Sequence, residues 1–240
     1  MNTKKKKNIV KLSGEALSDR ADETILDKRQ LENVALAIKE VRKLGVEVGV
    51  VVGAGNIWRG RLAEKIGIER STADYMGMLG TIINAMALQS AFEEIGLETR
   101  VMSSINVPQV CEPYIRRKAI HHLSSGRVVI FAGGTGNPYF TTDTTATLRA
   151  REVGAEAILM GKNGVGGVYD SDPRVNKNAK LIPHLSYHEL VEKKLAVMDL
   201  TAATMLEDTD IEIRVFGMNS ADDLVKVVKG DNLGSTISKE

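Results

Sequence analysis

Short continuous apolar runs recur along the chain at Ile9-Val10, Val46 to Val52, Thr99 to Met102, Val128 to Phe131, Ala157 to Met160 and Ile213 to Phe216. Runs of this length without polar alternation predict strands buried on both faces. Between them the pattern changes to helical spacing. Leu31, Val34, Ala35, Ile38 and Val41 share one face and stop at Gly45, which predicts a helix over Asp27–Leu44. A second helix is expected from about Ala73 to Ile95, closed by Gly96. Its methionines and small residues (Met76, Met78, Gly80, Ala85, Met86, Ala87, Ala91) suit helix packing or a subunit interface better than a cofactor pocket. Pro113 to Ser125 and Ser220 to Lys229 read as further covering helices, and Gly164 to Pro183 as a hairpin with an exposed loop. Strands alternating with helices predict an α/β fold, a three-layer α/β/α sandwich around a mainly parallel sheet.

At 240 residues the chain fits one large domain or two closely packed lobes. Lys and Arg total 32 against 31 Asp and Glu, for a net charge of +1, so no global field favours nucleic acid or an anionic membrane. The run Lys4 to Lys7 reads as a solvated terminus rather than an interaction arm. No apolar stretch is long enough for a bilayer and none resembles a signal peptide. A single cysteine, Cys111, excludes an internal disulfide and reads as a small structural residue. The expected location is the cytoplasm.

Glycine turns after strands carry the candidate chemistry. Lys11-Leu12-Ser13-Gly14 follows the first strand and Gly53-Ala54-Gly55-Asn56 the second. The longest turn, Gly133-Gly134-Thr135-Gly136-Asn137-Pro138-Tyr139-Phe140-Thr141-Thr142-Asp143, lies between Phe131 and a helix expected over Thr144 to Gly154. Backbone amides freed by glycine converge on anions, and a helix N-terminus adds partial positive charge. The alternative for Asp143 is an ordinary helix N-cap. Three such turns suggest a multiply phosphorylated ligand.

The P-loop pattern and the protein-kinase motif set are both absent. A dinucleotide fingerprint beginning at Gly53-x-Gly55 fails because Trp58 stands where its third glycine belongs. Asp74 lies about 20 residues on, yet opens a helix-like segment instead of closing a strand.

Lys11-Leu12-Ser13-Gly14-Glu15-Ala16-Leu17, Gly55-Asn56-Ile57-Trp58-Arg59-Gly60, Asp74-Tyr75-Met76-Gly77-Met78, Thr135 to Asp143, Asp170-Ser171-Asp172-Pro173 and Val197-Met198-Asp199-Leu200 occur in order over nearly the whole chain. In this set the chain resembles the bacterial uridylate kinases of the amino acid kinase superfamily. The resemblance implies one amino acid kinase-like domain over 1–240, with an acceptor lobe over about 1–155 and an ATP lobe over about 156–240. The implied reaction moves the γ-phosphoryl group of MgATP to UMP in pyrimidine nucleotide synthesis. Such chemistry relies on positioning and charge neutralisation. A phosphate monoester with a second pKa of about 6 needs no general base at neutral pH.

By resemblance, Lys11 and Arg59 neutralise phosphate charge, and Asp143 and Asp199 orient Lys11 and the metal-bound phosphates. Ala54, Arg59, Asp74 and the loop Thr135, Gly136, Asn137, Pro138, Tyr139, Phe140, Thr141 and Thr142 would hold UMP, with Asp74 on the ribose hydroxyls. Lys11, Leu12, Ser13, Gly14, Gly55, Arg59, Asn163, Tyr169 and Asp172 would hold ATP, and Mg²⁺ would ride mainly on nucleotide phosphates and water. Without the resemblance, Lys11 is a strand-end lysine, Asp74 an acid at a helix start, Asp199 the cap of a helix near Thr201 and Tyr169 a packing residue. A homohexamer and feedback inhibition by UTP are also implied. Ala54 and Gly166 replace the family's usual Gly and Asp. Ser18 to Thr24 lacks the glycine-rich stretch tied to GTP activation, which leaves GTP control open. The rival readings are a kinase for a carboxylate or carbamate and a nucleotide sensor without turnover.

Overall fold

The computed structural model describes residues 5–19, 24–162, 164–193, 195, 197–218 and 220–239. Asn163, Lys4 and residues 20–23 lie outside them. The strands are β1 (Lys7–Leu12), β2 (Glu47–Val52), β3 (Thr99–Ser103), β4 (Glu112–Pro113), β5 (Val128–Ala132), β6 (Ala157–Lys162), β7 (His184–Ser186), β8 (Glu212–Gly217) and β9 (Ser235–Ser238). They form one sheet in the order β4-β3-β5-β2-β1-β6-β8-β9-β7. Each neighbouring pair is parallel except β8 with β9. The helices are α1 (Lys28–Lys43), α2 (Gly60–Lys65), α3 (Arg70–Glu94), α4 (Arg116–Ser124), α5 (Thr142–Val153), α6 (Tyr187–Glu192), α7 (Leu200–Thr204) and α8 (Ala221–Lys229).

Alternate strand residues feed two cores. Ile9, Val51, Phe131 and Ile158 pack with Leu123, Ala146 and Ala202 of α4, α5 and α7. Val10, Val50, Ile130 and Leu159 pack with Ile38, Phe92 and Leu224 of α1, α3 and α8. Helices on both faces explain why the central strands read as unbroken apolar runs. The layers are those of the expected α/β/α sandwich.

Three expectations need correction. The helix expected from Pro113 starts at Arg116, because Glu112-Pro113 pairs with β3 as a two-residue edge strand, a position where proline's missing N–H costs little. The N-cap of α5 is Thr141, not Asp143: its hydroxyl accepts from the amides of Asp143 and Thr144, and Asp143 lies inside the first turn. Helix α3 starts at Arg70, so Asp74 sits one turn in rather than at its start. The hairpin expected over 164–183 survives as one antiparallel bridge, Tyr169 to Leu181. Because β1, β2, β5 and β6 run parallel, their carboxyl ends open on one edge, where ligands of open α/β sheets bind.

Candidate active site

The glycine turns meet at that edge. Gly14 opens a 3₁₀ turn over Gly14–Leu17, and a Cβ on it would lie 2.4 Å from Asn56 Oδ1 and 2.7 Å from the Gly53 carbonyl oxygen. Only glycine lets the first turn nest against the second. Asn84, fully buried on α3, donates to the Gly53 carbonyl at 2.7 Å and forms a reciprocal amide pair with Asn56 at 2.8 and 3.0 Å. In the third turn Gly133, Gly134 and Gly136 hold φ of 72°, 57° and 83°, a region costly for residues with a Cβ. The Gly133 amide donates to Thr81 Oγ1 at 2.8 Å.

Charged groups concentrate beside these turns. Lys11 Nζ lies 2.8 Å from Asp143 Oδ1, with both side chains mostly buried. That buried oxygen has no aligned hydrogen-bond donor, so the contact is an ion pair with unused acceptor capacity. Asp199 accepts from Thr141 Oγ1, from Thr144 Oγ1 at 3.0 Å and from the Ala202 amide at 2.9 Å. It therefore caps α7 and, through Thr141, braces the helix that carries Asp143. Arg59 is placed differently. It pairs with Glu15 and donates to the Gly55 carbonyl at 3.1 Å, more than half exposed at the rim.

On the other side of the turns is a cleft of 430 Å³ lined by residues that include Ala54, Gly55, Trp58, Asp74, Met78, Gly134, Phe140, Thr141 and Thr142. Asp74 receives Arg70 Nε at 3.0 and 3.1 Å and the Tyr139 amide at 2.8 Å, which pins the tip of the third turn to α3. Tyr139 is the one non-glycine residue at positive φ, 71°, among the described residues. Thr135 Oγ1 accepts from the Asn137 amide at 3.2 Å and closes the loop on itself. Thr135, Gly136, Asn137, Pro138 and Tyr139 do not line the cleft wall, whereas Phe140, Thr141 and Thr142 do. Ala54 is not at positive φ, and its methyl packs where Gly80 of α3 has no side chain: a Cβ there would lie 2.9 Å away. The substitution is accommodated by the helix rather than by a shifted turn.

Tyr169 makes the hairpin bridge, and Asp172 is held by the Arg174 amide, Nε and Nη2 at 3.0 to 3.1 Å. Two residues went unnoticed in the sequence. Lys162, the last residue of β6, donates to the Val197 carbonyl at 2.6 Å. Burial pushes its pKa below the usual lysine value; Asp143 opposes that shift, and Lys11 and Arg174 add to it. Arg149, nearly fully buried on α5, donates to Ser104 Oγ at 2.7 Å and to the Gly134 carbonyl at 3.4 Å, pairs with Glu152 and lies 3.8 Å over the Tyr114 ring. It holds the third turn from behind. A lysine ending an apolar run, as Lys11 does, was the signal for Lys162. An arginine in a helix buried nearly all round was the signal for Arg149.

The Amino acid kinase family profile matches residues 6–217. The chain is 53% identical over 235 residues to the uridylate kinase of Limosilactobacillus reuteri strain DSM 20016, covering 98% of this chain and 97% of that protein. It is similar to the crystal structure of UMP kinase from Bacillus anthracis, with TM-score 0.94, 41% identity and coverage of 98% and 96% of the two chains. The UMP kinase structure from Ureaplasma parvum superposes with TM-score 0.93 at 36% identity, covering 99% and 100%.

Proposed function

The chain belongs to the uridylate kinases of the amino acid kinase family, and from that premise we infer that it moves the γ-phosphoryl group of ATP to UMP, giving ADP and UDP for pyrimidine nucleotide synthesis. The observation that carries the reading for these residues is the Lys11–Asp143 pair, set where the three glycine turns meet and flanked by the Asp74 cleft. A strand-end ammonium, held by a carboxylate with capacity to spare, can turn to a transferring phosphoryl group. The start of α5 beside the turns supplies further positive potential without reorganisation. No proton needs to leave the acceptor, because its phosphate is already deprotonated at neutral pH.

UMP occupies the cleft, with its ribose on Asp74 and its base and phosphate along 135–142, of which Phe140, Thr141 and Thr142 line the wall and 135–139 must move toward the ligand; ATP lies over Lys11 to Gly14 and toward Tyr169 and Asp172. This division follows the lobes at about 1–155 and 156–240. Asp74 is already bonded to Arg70 and the Tyr139 amide, so the ribose must share or displace those donors. Arg59, which uses Nη2 on Glu15 and Nε on the Gly55 carbonyl, would bring its other guanidinium donors to phosphate. Asp143 Oδ1, buried without an aligned donor, and the neighbouring Asp199 fit Mg²⁺ held largely by phosphates and water. When bound, the ion neutralises phosphate charge.

A homohexamer belongs to the same reading, supported by the exposed stripe Tyr75, Leu79, Ile83 and Met86 along α3. UTP would inhibit by occupying the UMP cleft, GTP remains an effector to assay, and the cytoplasm is where both substrates are present. A coupled ADP-release assay with MgATP and UMP, run beside CMP, dUMP and carbamate, tests the reaction. Turnover confined to UMP is expected. Preference for carbamate would make the chain another superfamily kinase, and UTP binding without turnover on any acceptor would make it a sensor.

A further inference from the structure

Lys162 ends β6 at the same edge where Lys11 nearly ends β1, and the two strands are parallel neighbours with Lys11 opposite Met160. Two lysines therefore stand beside one carboxylate. Lys11 is paired with Asp143, while Lys162 is attracted by Asp143 and repelled by Lys11 and Arg174. Taking an ammonium partly out of water next to a second cation is unfavourable, and an apolar side chain of similar length would fit there without that cost. Local choices that oppose stability concentrate at functional sites.

The partner of Lys162 shows what it achieves. Its 2.6 Å bond ends on the carbonyl of Val197. Val197 and Met198 are buried, and the chain runs directly from them into Asp199. Asp199 accepts the Thr141 and Thr144 hydroxyls, Thr141 caps α5, and α5 carries Asp143 back to Lys11. The contacts close a ring from β1 through Asp143, the start of α5, Asp199 and Lys162 to β6, which pairs with β1.

Building on the phosphotransfer reading, we propose that Lys162 is a positioning residue for the transfer step: it pins the Val197–Asp199 segment to the end of β6 and so sets Asp199 against the Lys11–Asp143 pair. Its effect falls chiefly on the rate of transfer and little on acceptor affinity, because its own contact, the Val197 carbonyl, is not in the Asp74 cleft, which the ring touches only through Thr141.

A double-mutant cycle on the full chain with MgATP and UMP tests this. Lys162→Met is expected to lower kcat about 10- to 100-fold while KM for UMP stays within about twofold, and Lys162→Arg to recover most of the rate. Asp199→Asn is expected to cost about 100-fold, and the double variant to be no more than about threefold slower than the slower single one, since groups acting as a unit are not additive. If Lys162→Met fails to fold, Lys162→Gln, which keeps a donor without the charge, enters the same cycle. Losses that multiply, an unchanged kcat, or a loss carried by KM for UMP would each overturn the inference while leaving the reaction intact. A wild-type chain inactive on UMP would overturn the phosphotransfer reading and this inference with it.

Discussion

The transfer end and the acceptor cleft are adjacent, yet they are built in opposite ways. At the transfer end Lys11, Asp143, Asp199 and Lys162 are partly buried and linked through one another, Thr141 and Thr144. In the cleft, Asp74 is held by an exposed arginine and one loop amide, Tyr139 carries a strained φ, and Tyr139 and Phe140 are exposed. One region is fixed before ligand arrives; the other is tied lightly enough to rearrange around it. Preorganised charge is most effective where charge develops in the transition state. Adaptable contacts suit recognition, where exchanging one hydrogen bond for another costs little. Changes at the first region should therefore appear in kcat, and changes in the second in KM for UMP.

The largest effect should come from Lys11→Ala, with kcat lower by about 100- to 1,000-fold and KM for UMP nearly unchanged. A variant with wild-type turnover would dissolve the contrast, because the buried pair would then be structural. Gly14→Ala follows. Its Cβ would meet Asn56 and the Gly53 carbonyl inside 3 Å, so about 1–3 kcal/mol of stability should be lost as the first two turns are forced apart. Chemical denaturation would measure that loss, and an unchanged midpoint would mean that the turns are not locked together. Next, Asp74→Asn should raise KM for UMP about tenfold, roughly 1.4 kcal/mol, and leave KM for ATP alone. A rise confined to ATP would reverse the assignment of the two lobes.

The two regions also differ in how far the sequence disclosed them. The central strands were legible because burial on both faces removes polar alternation, and α1 because its apolar stripe ends at glycine. The motif residues Lys11, Asp74 and Asp143 were found by order and spacing. What the sequence hid depends on contacts far apart along the chain: Lys162 meets Val197 35 residues on, and Arg149 meets Ser104 45 residues back. The cap of α5 was misassigned because Thr141, Thr142 and Asp143 are all good caps, and the choice of Thr141 depends on Asp199, 58 residues away. Pro113 was read into a helix because a two-residue edge strand leaves no periodicity.

The smallest effect bears on why the cleft is loosely tied. Arg70 grips Asp74 through an i,i+4 ion pair at 3.0 Å, its guanidinium exposed and the carboxylate mostly buried, and lies 5.9 Å from the centre of the Tyr139 ring. With the guanidinium in solvent the pair is screened and contributes about 1 kcal/mol, so Arg70→Ala should alter stability by about that much. Its effect on KM for UMP separates two uses of the arginine. If Arg70 only neutralises Asp74 while the cleft is empty, removing it frees Oδ1 for the ribose while Oδ2 keeps the Tyr139 amide, and KM should fall by up to about fivefold. If Arg70 orients the carboxylate, KM should rise by a similar factor. The exposed side chain and the second anchor from the Tyr139 amide favour the fall, because that anchor still orients Asp74 after the arginine is gone. In either case kcat should stay within about twofold of wild type. A kcat loss approaching that of Lys11→Ala would mean that the lightly held cleft and the buried transfer ring act as a single unit.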